Sequence, residues 1–401
     1  MTDTADVGLD QPEYQYTPRD TALIIGAGLA GCAVARTLAK DKFNCKLFDS
    51  ASTPAASTSA VPVAINQPHL TRTDQLSRRY YLAAFERMIN EFSTQDNPSL
   101  YHQTGLLKLI SKIDTWQDHR RWKRLTRTQA CDFAGMSVPT DALLLPAAGW
   151  LNPGTLCKRW IETNSAIEFH GNTVISTLRK TQYGWQLIDG RSQVIDESRL
   201  VILCNGLRVN EFDLCNHLPL QGVRGQLSYF ESRNAHSVPR LIVSAQGYVI
   251  PQGSGYWSGA THSRTSVSTT PCPADDIENT DRAKMLLPDL TAVQPVSRSW
   301  CGLRSATPDR FPIIGAAPSV SFYQRAYGDL HHGRRRQYAK AEFEKGLYLL
   351  TGFGSRGVVQ SLLAAELLSE IIQAKYSQPA EFFNATHPAR FLLRQLKRQS
   401  S

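Results

Sequence analysis

The chain has 401 residues, 42% hydrophobic and 20% charged, with a formal net charge of +9. That length exceeds what one hydrophobic core usually serves, so two domains are expected, and the composition excludes a low-complexity or fibrous chain. Eight cysteines are scattered with no pair at C-x-x-C spacing, which argues against a zinc ribbon or disulfide framework and fits a reducing compartment. The polar, acidic start MTDTADVGLDQPEYQY lacks the apolar segment of a signal peptide, and no apolar run approaches the roughly 18 residues of a membrane span. The expectation is a cytoplasmic protein whose residues 1–19 are disordered.

The most legible segment follows, TALIIGAGLAGCAVARTLAKDKFNCKLFDS at 21–50. Ala22–Ile25 predicts a buried strand entering Gly26-Ala27-Gly28-Leu29-Ala30-Gly31, then a helix from Leu29 to about Lys40 and a second strand, Cys45–Phe48, ending at Asp49. In that register Gly26 makes the tight turn, Gly28 lets the backbone approach a pyrophosphate, and Gly31 lets helix and strand pack closely. The helix N-terminus offers free N–H groups to the phosphates, and Asp49 stands where a carboxylate meets an adenosine ribose. The pattern predicts dinucleotide binding.

Beyond this unit the chain alternates between two characters. HRRWKRLTR (119–127) places Arg120, Arg121, Lys123 and Arg124 around Trp122, either a solvated face or part of a surface for a polyanion. RLVILCNG (199–206) is an apolar strand ending at Gly206, where a second close approach to a cofactor is expected. Residues 223–301 alternate apolar and polar residues over short strands, which predicts an antiparallel sheet. In CGLRSATPDRFPIIG (301–315), Arg304 either pairs with nearby Asp309 or waits for an anion. HHGRRRQYAK (331–340) carries Arg334, Arg335 and Arg336, and ARFLLRQLKRQS (389–400) carries Arg394 and Lys397, again without acids in sequence. Between them, GLYLLTGFGSRGVVQSLLAAELLSEII (346–372) predicts a strand, a glycine-rich turn and a helix. There Gly352, Gly354, Ser355, Arg356 and Gly357 would bring backbone and helix N-terminus against a ligand.

Four stretches, GAGLAG, GVRGQ (222–226), GLRSATPDRFPIIG (302–315) and GFGSRG (352–357), together resemble the D-amino-acid-oxidase-like FAD oxidoreductases, glycine and sarcosine oxidases among them. RSATPDRFPIIG, GSRGVVQSLLAAELLSEII, GWLNPGTL (149–156) and the ending HPARFLLRQLKRQ are most similar to the oxidoreductase domain of the MnmC-type tRNA 5-methylaminomethyl-2-thiouridine biosynthesis enzymes. The resemblance implies an α/β fold: an FAD-binding Rossmann-like domain of the D-amino-acid-oxidase type with an inserted antiparallel-sheet substrate domain. Residues 20–90, 150–222 and 302–376 are assigned to the FAD-binding domain, 91–149 and 223–301 to the substrate domain, and 377–401 to a basic tail.

It also implies FAD as cofactor, tRNA as partner, and removal of the carboxymethyl group of 5-carboxymethylaminomethyl-(2-thio)uridine at the wobble position. On the family pattern Arg304 holds the substrate carboxylate, and Arg224 and Gln226 lie near the flavin ring; Tyr248 and Tyr256, on the expected substrate sheet, either close the substrate site or serve core or surface packing. Ser57 and Ser59 contact the flavin from a loop (53–70) that replaces the family's usual glycines with small and β-branched residues. About twenty residues precede Ala22, too few for the methyltransferase domain fused in that family, so methylation is expected to need a separate SAM-dependent methyltransferase. The alternatives are a small-molecule oxidase of glycine, sarcosine or a D-amino acid, and a flavin-bearing or tRNA-binding subunit without turnover. No metal site is expected.

Overall fold

The computed structural model describes residues 7–398 except 72, 94–98, 112–114, 233–237, 291–294 and 333–336. Its first layer is a six-stranded sheet in the order Ile313–Pro318, Phe343–Thr351, Leu200–Leu203, Ala22–Ile25, Cys45–Phe48, Ile167–His170. All neighbours run parallel except the outer pair, Ile313–Pro318 against Phe343–Thr351. Strands such as Ala-Leu-Ile-Ile and Leu-Val-Ile-Leu carry no polar side chain because helices or loops cover both faces. The Leu29–Lys40 and Gly357–Gln373 helices are buried almost all round, packed against each other. Ile25 pairs with both Leu203 and Phe48, so Gly26, Asp49 and Cys204 emerge together at one edge.

The second layer has eight strands, from Val296–Ala306 through Gln221–Glu231, Gly255–Gly259, Tyr248–Gln252, Ile242–Ser244, Leu106–Leu109 and Ala142–Leu145 to Lys123–Leu125. It is antiparallel except where Ile242–Ser244 runs parallel to Leu106–Leu109, the seam that joins the two parts expected to form the substrate domain. The strands Gln221–Glu231 and Val296–Ala306 cross the expected limits at 222 and 301, tying the sheet to the loops of the first layer. A three-stranded flap, Thr177–Lys180, Trp185–Ile188 and Val194–Ser198, completes the body.

Both ends of the described chain differ from expectation. Residues 7–19 are packed rather than disordered: Tyr16 is buried, its N–H donates to Ile372 O at 2.9 Å, and Tyr323 Oη donates to Gly8 O at 2.8 Å. The expected basic tail folds into the helices Ala380–Thr386 and Arg390–Arg398. Leu392, Leu393 and Leu396 recur on one helical face and pack with Phe322, Tyr323 and Tyr327, so the segment is amphipathic.

Candidate active site

At the aligned strand ends the glycine turn takes the predicted form. Gly26 has φ of 103°, a conformation few other residues tolerate, and a Cβ added at Gly31 would lie 1.8 Å from Gly26 O. Asp49 holds the turn from the second strand, its Oδ2 accepting from Ala27 N at 2.7 Å and its Oδ1 from Ala51 N at 2.9 Å. Gly28 stands at the helix N-cap without a side-chain cap, and Ser59 Oγ accepts from Leu29 N at 3.0 Å. Ala27 and Gly31 serve packing, whereas Gly26, Gly28, Ala30, Asp49, Ser57 and Ser59 line a cavity of 760 Å³.

The cavity runs between the two layers and is also lined by Gly206, Gly352, Gly354, Ser355, Arg356 and Gly357. Gly206, Gly352 and Gly354 have φ of 63°, 78° and 55°, which lets the turns there follow the cavity wall. A flavin dinucleotide fits these residues: the glycine cradle would admit a pyrophosphate, and the N-terminus of Gly357–Gln373 reaches the cavity, where it would favour an anionic group. Asn205 Oδ1 and Ser305 Oγ, buried without a partner among the described residues, are two polar atoms for a ligand to satisfy that sequence reading missed.

Arg304 reaches the cavity from Val296–Ala306, opposite Val223 in register. Its guanidinium lies across the place where Gly225 would carry a side chain: a Cβ there would sit 1.7 Å from Arg304 Nη2. That explains the glycine in GVRGQ. Nη1 donates to Ser355 Oγ at 2.8 Å and His262 Nε2 at 3.1 Å, and Nη2 donates to Thr261 O at 3.0 Å. Among the described residues no carboxylate pairs with Arg304.

Asp309, the rival partner in sequence, faces the other way. It accepts from Arg390 Nε and Nη2, each at 3.0 Å, and from Arg394 Nη1 at 2.7 Å. Burial lowers the Arg304 pKa below its usual value, and burial followed by the charge of Arg304 brings His262 to about 4. Because arginine only donates, His262 Nε2 accepts and its Nδ1 carries the proton toward Ala260 O at 3.0 Å. Tyr248 lines the cavity near this group. Arg356, His69 and Lys108 also line the cavity; His69, Lys108 and His262 sit in no motif, and sequence reading missed all three.

Other expected site residues lie elsewhere. Tyr256 is turned to the second core, stacked on Phe230 at 5.1 Å, because strand alternation points it away from the face that carries Trp257. Arg224 pairs with Asp275 and bonds Ser268 O and Thr270 O, and Gln226 bonds Cys272 and Asp276, so both brace the 268–276 segment rather than a ring. The basic cluster around Trp122 meets acids: Arg120 and Arg121 share the distant Glu86 at 2.7 and 3.1 Å, and Arg124 faces Asp118, which directly precedes the cluster, at 3.7 Å. Lys123 is exposed at the sheet edge, Lys397 is exposed near the helix end, and Arg394 is half-exposed beside Asp309. Arg334, Arg335 and Arg336 lie outside the described residues. Among the described residues no cluster of His, Cys, Asp and Glu suits a metal, and no helix is long and apolar enough to cross a membrane.

Residues 21–371 match the family described as FAD dependent oxidoreductase. The tRNA 5-methylaminomethyl-2-thiouridine biosynthesis bifunctional protein MnmC of Legionella pneumophila (strain Corby) is 29% identical over 402 residues, covering 94% of this chain and 58% of that protein. The protein of the same name from Methylibium petroleiphilum is 31% identical, with coverage of 93% and 60%. The chain thus spans less than two thirds of these relatives' length. Glycine oxidase from Geobacillus kaustophilus superposes with a TM-score of 0.74 at 17% identity, covering 92% of this chain and 98% of that chain, a likeness of fold alone. Iminodiacetate oxidase from Chelativorans sp. BNC1 gives 0.69 at 19% identity, covering 92% and 98%. The glycine turn, its terminal acid and the two sheets thus belong to a member of the FAD dependent oxidoreductase family, with FAD as cofactor.

Proposed function

We propose that this enzyme oxidises the carboxymethylaminomethyl group of a wobble uridine, or its 2-thio form, in tRNA, releasing the carboxymethyl carbons as glyoxylate and leaving 5-aminomethyluridine. The observation that carries the reading is Arg304: a guanidinium facing the cofactor cavity, unpaired with any described carboxylate and oriented by Ser355, Thr261 and neutral His262. The matched relatives are named for tRNA 5-methylaminomethyl-2-thiouridine biosynthesis, which supports a glycine-like carboxylate carried on tRNA over a free amino acid. Such a substrate belongs to the cytoplasm. Those relatives are named bifunctional, and methylation of the aminomethyl product falls to a SAM-dependent activity other than the one argued here.

FAD, held by Gly26, Gly28 and the turn at Gly352–Gly357, would supply the two-electron oxidant for the glycine C–H bond. The nitrogen lone pair forms the C=N bond as that C–H breaks; water adds to the imine carbon, and C–N cleavage releases the amine and glyoxylate. Reoxidation of the cofactor needs an electron acceptor such as dioxygen. Arg304 fixes the carboxylate and so positions the methylene. The nitrogen must be neutral to react, and a cavity holding Arg304, Arg356 and Lys108 disfavours an ammonium, helping strip that proton.

Arg304→Gln tests the role. With two charge-assisted bonds removed, kcat/KM on modified tRNA should fall by about 10²–10³-fold while FAD content is unchanged. Unaltered turnover would remove Arg304 from the substrate site.

A further inference from the structure

Two clusters of basic side chains face the cavity, and the reading above gives a substrate anion to only one. The other is Arg356, His69 and Lys108, brought together from the helix turn, the loop after Ala64–Asn66 and the strand Leu106–Leu109. Arg356 Nη2 donates to His69 Nδ1 at 2.9 Å, with its guanidinium carbon 5.1 Å from the Tyr81 ring centroid. Since arginine only donates, the His69 proton is on Nε2, and that N–H has no acceptor among the described residues. Lys108 Nζ spends one donor on Ala245 O at 3.0 Å and keeps two. Among the described residues no carboxylate forms an ion pair with Lys108 or Arg356. Ser355, next to Arg356, bonds Arg304 instead, so two consecutive side chains serve different groups.

The electrostatics agree. Burial and then the charge of Arg356 hold Lys108 below its usual value; burial, Arg356, Arg310 and Lys108 bring His69 to about 4, with Asp74 acting in the opposite sense. Asp74 Oδ1 is itself engaged by Ser77 N. Lys108 and Arg356 repel each other in a cavity wall beside the neutral His69, and an anion between them would relieve that.

We propose that Lys108, Arg356 and His69 form a second anion subsite that takes a phosphate of the nucleotide whose modified base reaches toward Arg304. The inference rests on the tRNA reading. A carboxymethylaminomethyluridine has one carboxylate, which Arg304 meets, so the further anion of the same nucleotide is its phosphate. An ammonium, a guanidinium and an imidazole N–H converging from three elements match the several oxygens of a tetrahedral anion, whereas one guanidinium fork suffices for a planar carboxylate. Free glycine brings no second anion.

The test uses the FAD-loaded enzyme with 5-carboxymethylaminomethyluridine, its 5′-monophosphate and its 3′-monophosphate, following anaerobic flavin bleaching. One monophosphate should exceed the nucleoside in kcat/KM by about tenfold or more, mainly through KM, and its identity reports the strand direction. Lys108→Gln and Arg356→Gln should bring that ratio to about one, and Lys108→Arg should keep it. A second measurement needs no turnover: titrating inorganic phosphate against the visible flavin spectrum should saturate in wild type and Arg304→Gln but not in Lys108→Gln. Phosphate binding of that pattern with no bleaching by any of the three compounds would sink the tRNA reading and leave the subsite standing. Equal kcat/KM for all three compounds in wild type, or a phosphate preference surviving both Gln variants, would overturn the subsite.

Discussion

Replacing Asp309 by asparagine keeps the side-chain shape and removes the charge that Arg390 and Arg394 share. Arg390 is only 3% exposed, and after the change it keeps carbonyl acceptors on Thr386, His387 and Phe311 but no carboxylate. Breaking a buried pair costs about 3–5 kcal/mol, and the carbonyls hold this case near the lower end, about 3 kcal/mol. Arg394, 49% exposed, turns to water and adds less than about 1 kcal/mol. Urea unfolding followed by tryptophan fluorescence at neutral pH reads the loss directly. Burial tends to raise the Asp309 pKa, but the bonds and charges of Arg390 and then Arg394 hold it below its usual 3.8. The pair's contribution is therefore complete above 3.8 and disappears as pH falls through the lowered value, where variant and wild type should converge. Arg304 makes no contact with Asp309, so turnover per folded, FAD-loaded molecule should persist. A loss under about 1 kcal/mol, or a well-folded variant without activity, would refute the assignment of Asp309 to Arg390.

Three further outcomes follow from the geometry. Gly225→Ala puts a Cβ 1.7 Å from Arg304 Nη2 and 2.9 Å from Thr261 O, so the guanidinium and the backbone beside it must move; kcat/KM per FAD-loaded molecule should drop about 10²-fold and the melting temperature should fall. Tyr248→Phe should raise KM up to about tenfold, whereas Tyr256→Phe, in the second core, should leave steady-state kinetics unaltered. His387 is 1% exposed, takes Ala389 N on Nδ1 at 3.1 Å, and is lowered by burial from 6.5 to about 4. The unfolded chain then binds more protons between those values, so stability should fall as pH drops from 6.5 to 4. His387→Gln should flatten that loss by roughly 3 kcal/mol in a pH series of urea melts.

Where a function is written in neighbouring residues, the sequence was readable. Gly26 to Gly31, the helix behind them and Asp49 form one local unit, and each glycine answers a steric demand of that unit. The partner of Asp309 was not readable, because Arg390 lies 81 residues away and reaches it only through a packed terminal helix. Likewise the clusters that look acid-free along the chain are partly neutralised in space, Arg120 and Arg121 by Glu86 on the helix Gln75–Ser93. Lys108, His69 and His262 carry no motif; their meaning comes from which wall of the cavity each strand or loop builds. Tyr256 was misplaced by one strand face, since alternation of side chains is visible in sequence but the inward face is not.

The most direct measurement of the central claim uses the yellow, FAD-loaded enzyme with tRNA bearing 5-carboxymethylaminomethyluridine and, in parallel, with free glycine and sarcosine. Flavin bleaching and the mass of the wobble nucleoside are followed together. The account predicts bleaching by the tRNA, with loss of the carboxymethyl group and release of glyoxylate, and none by the free amino acids at matched concentration. Bleaching by glycine or sarcosine with the tRNA nucleoside unchanged would contradict it.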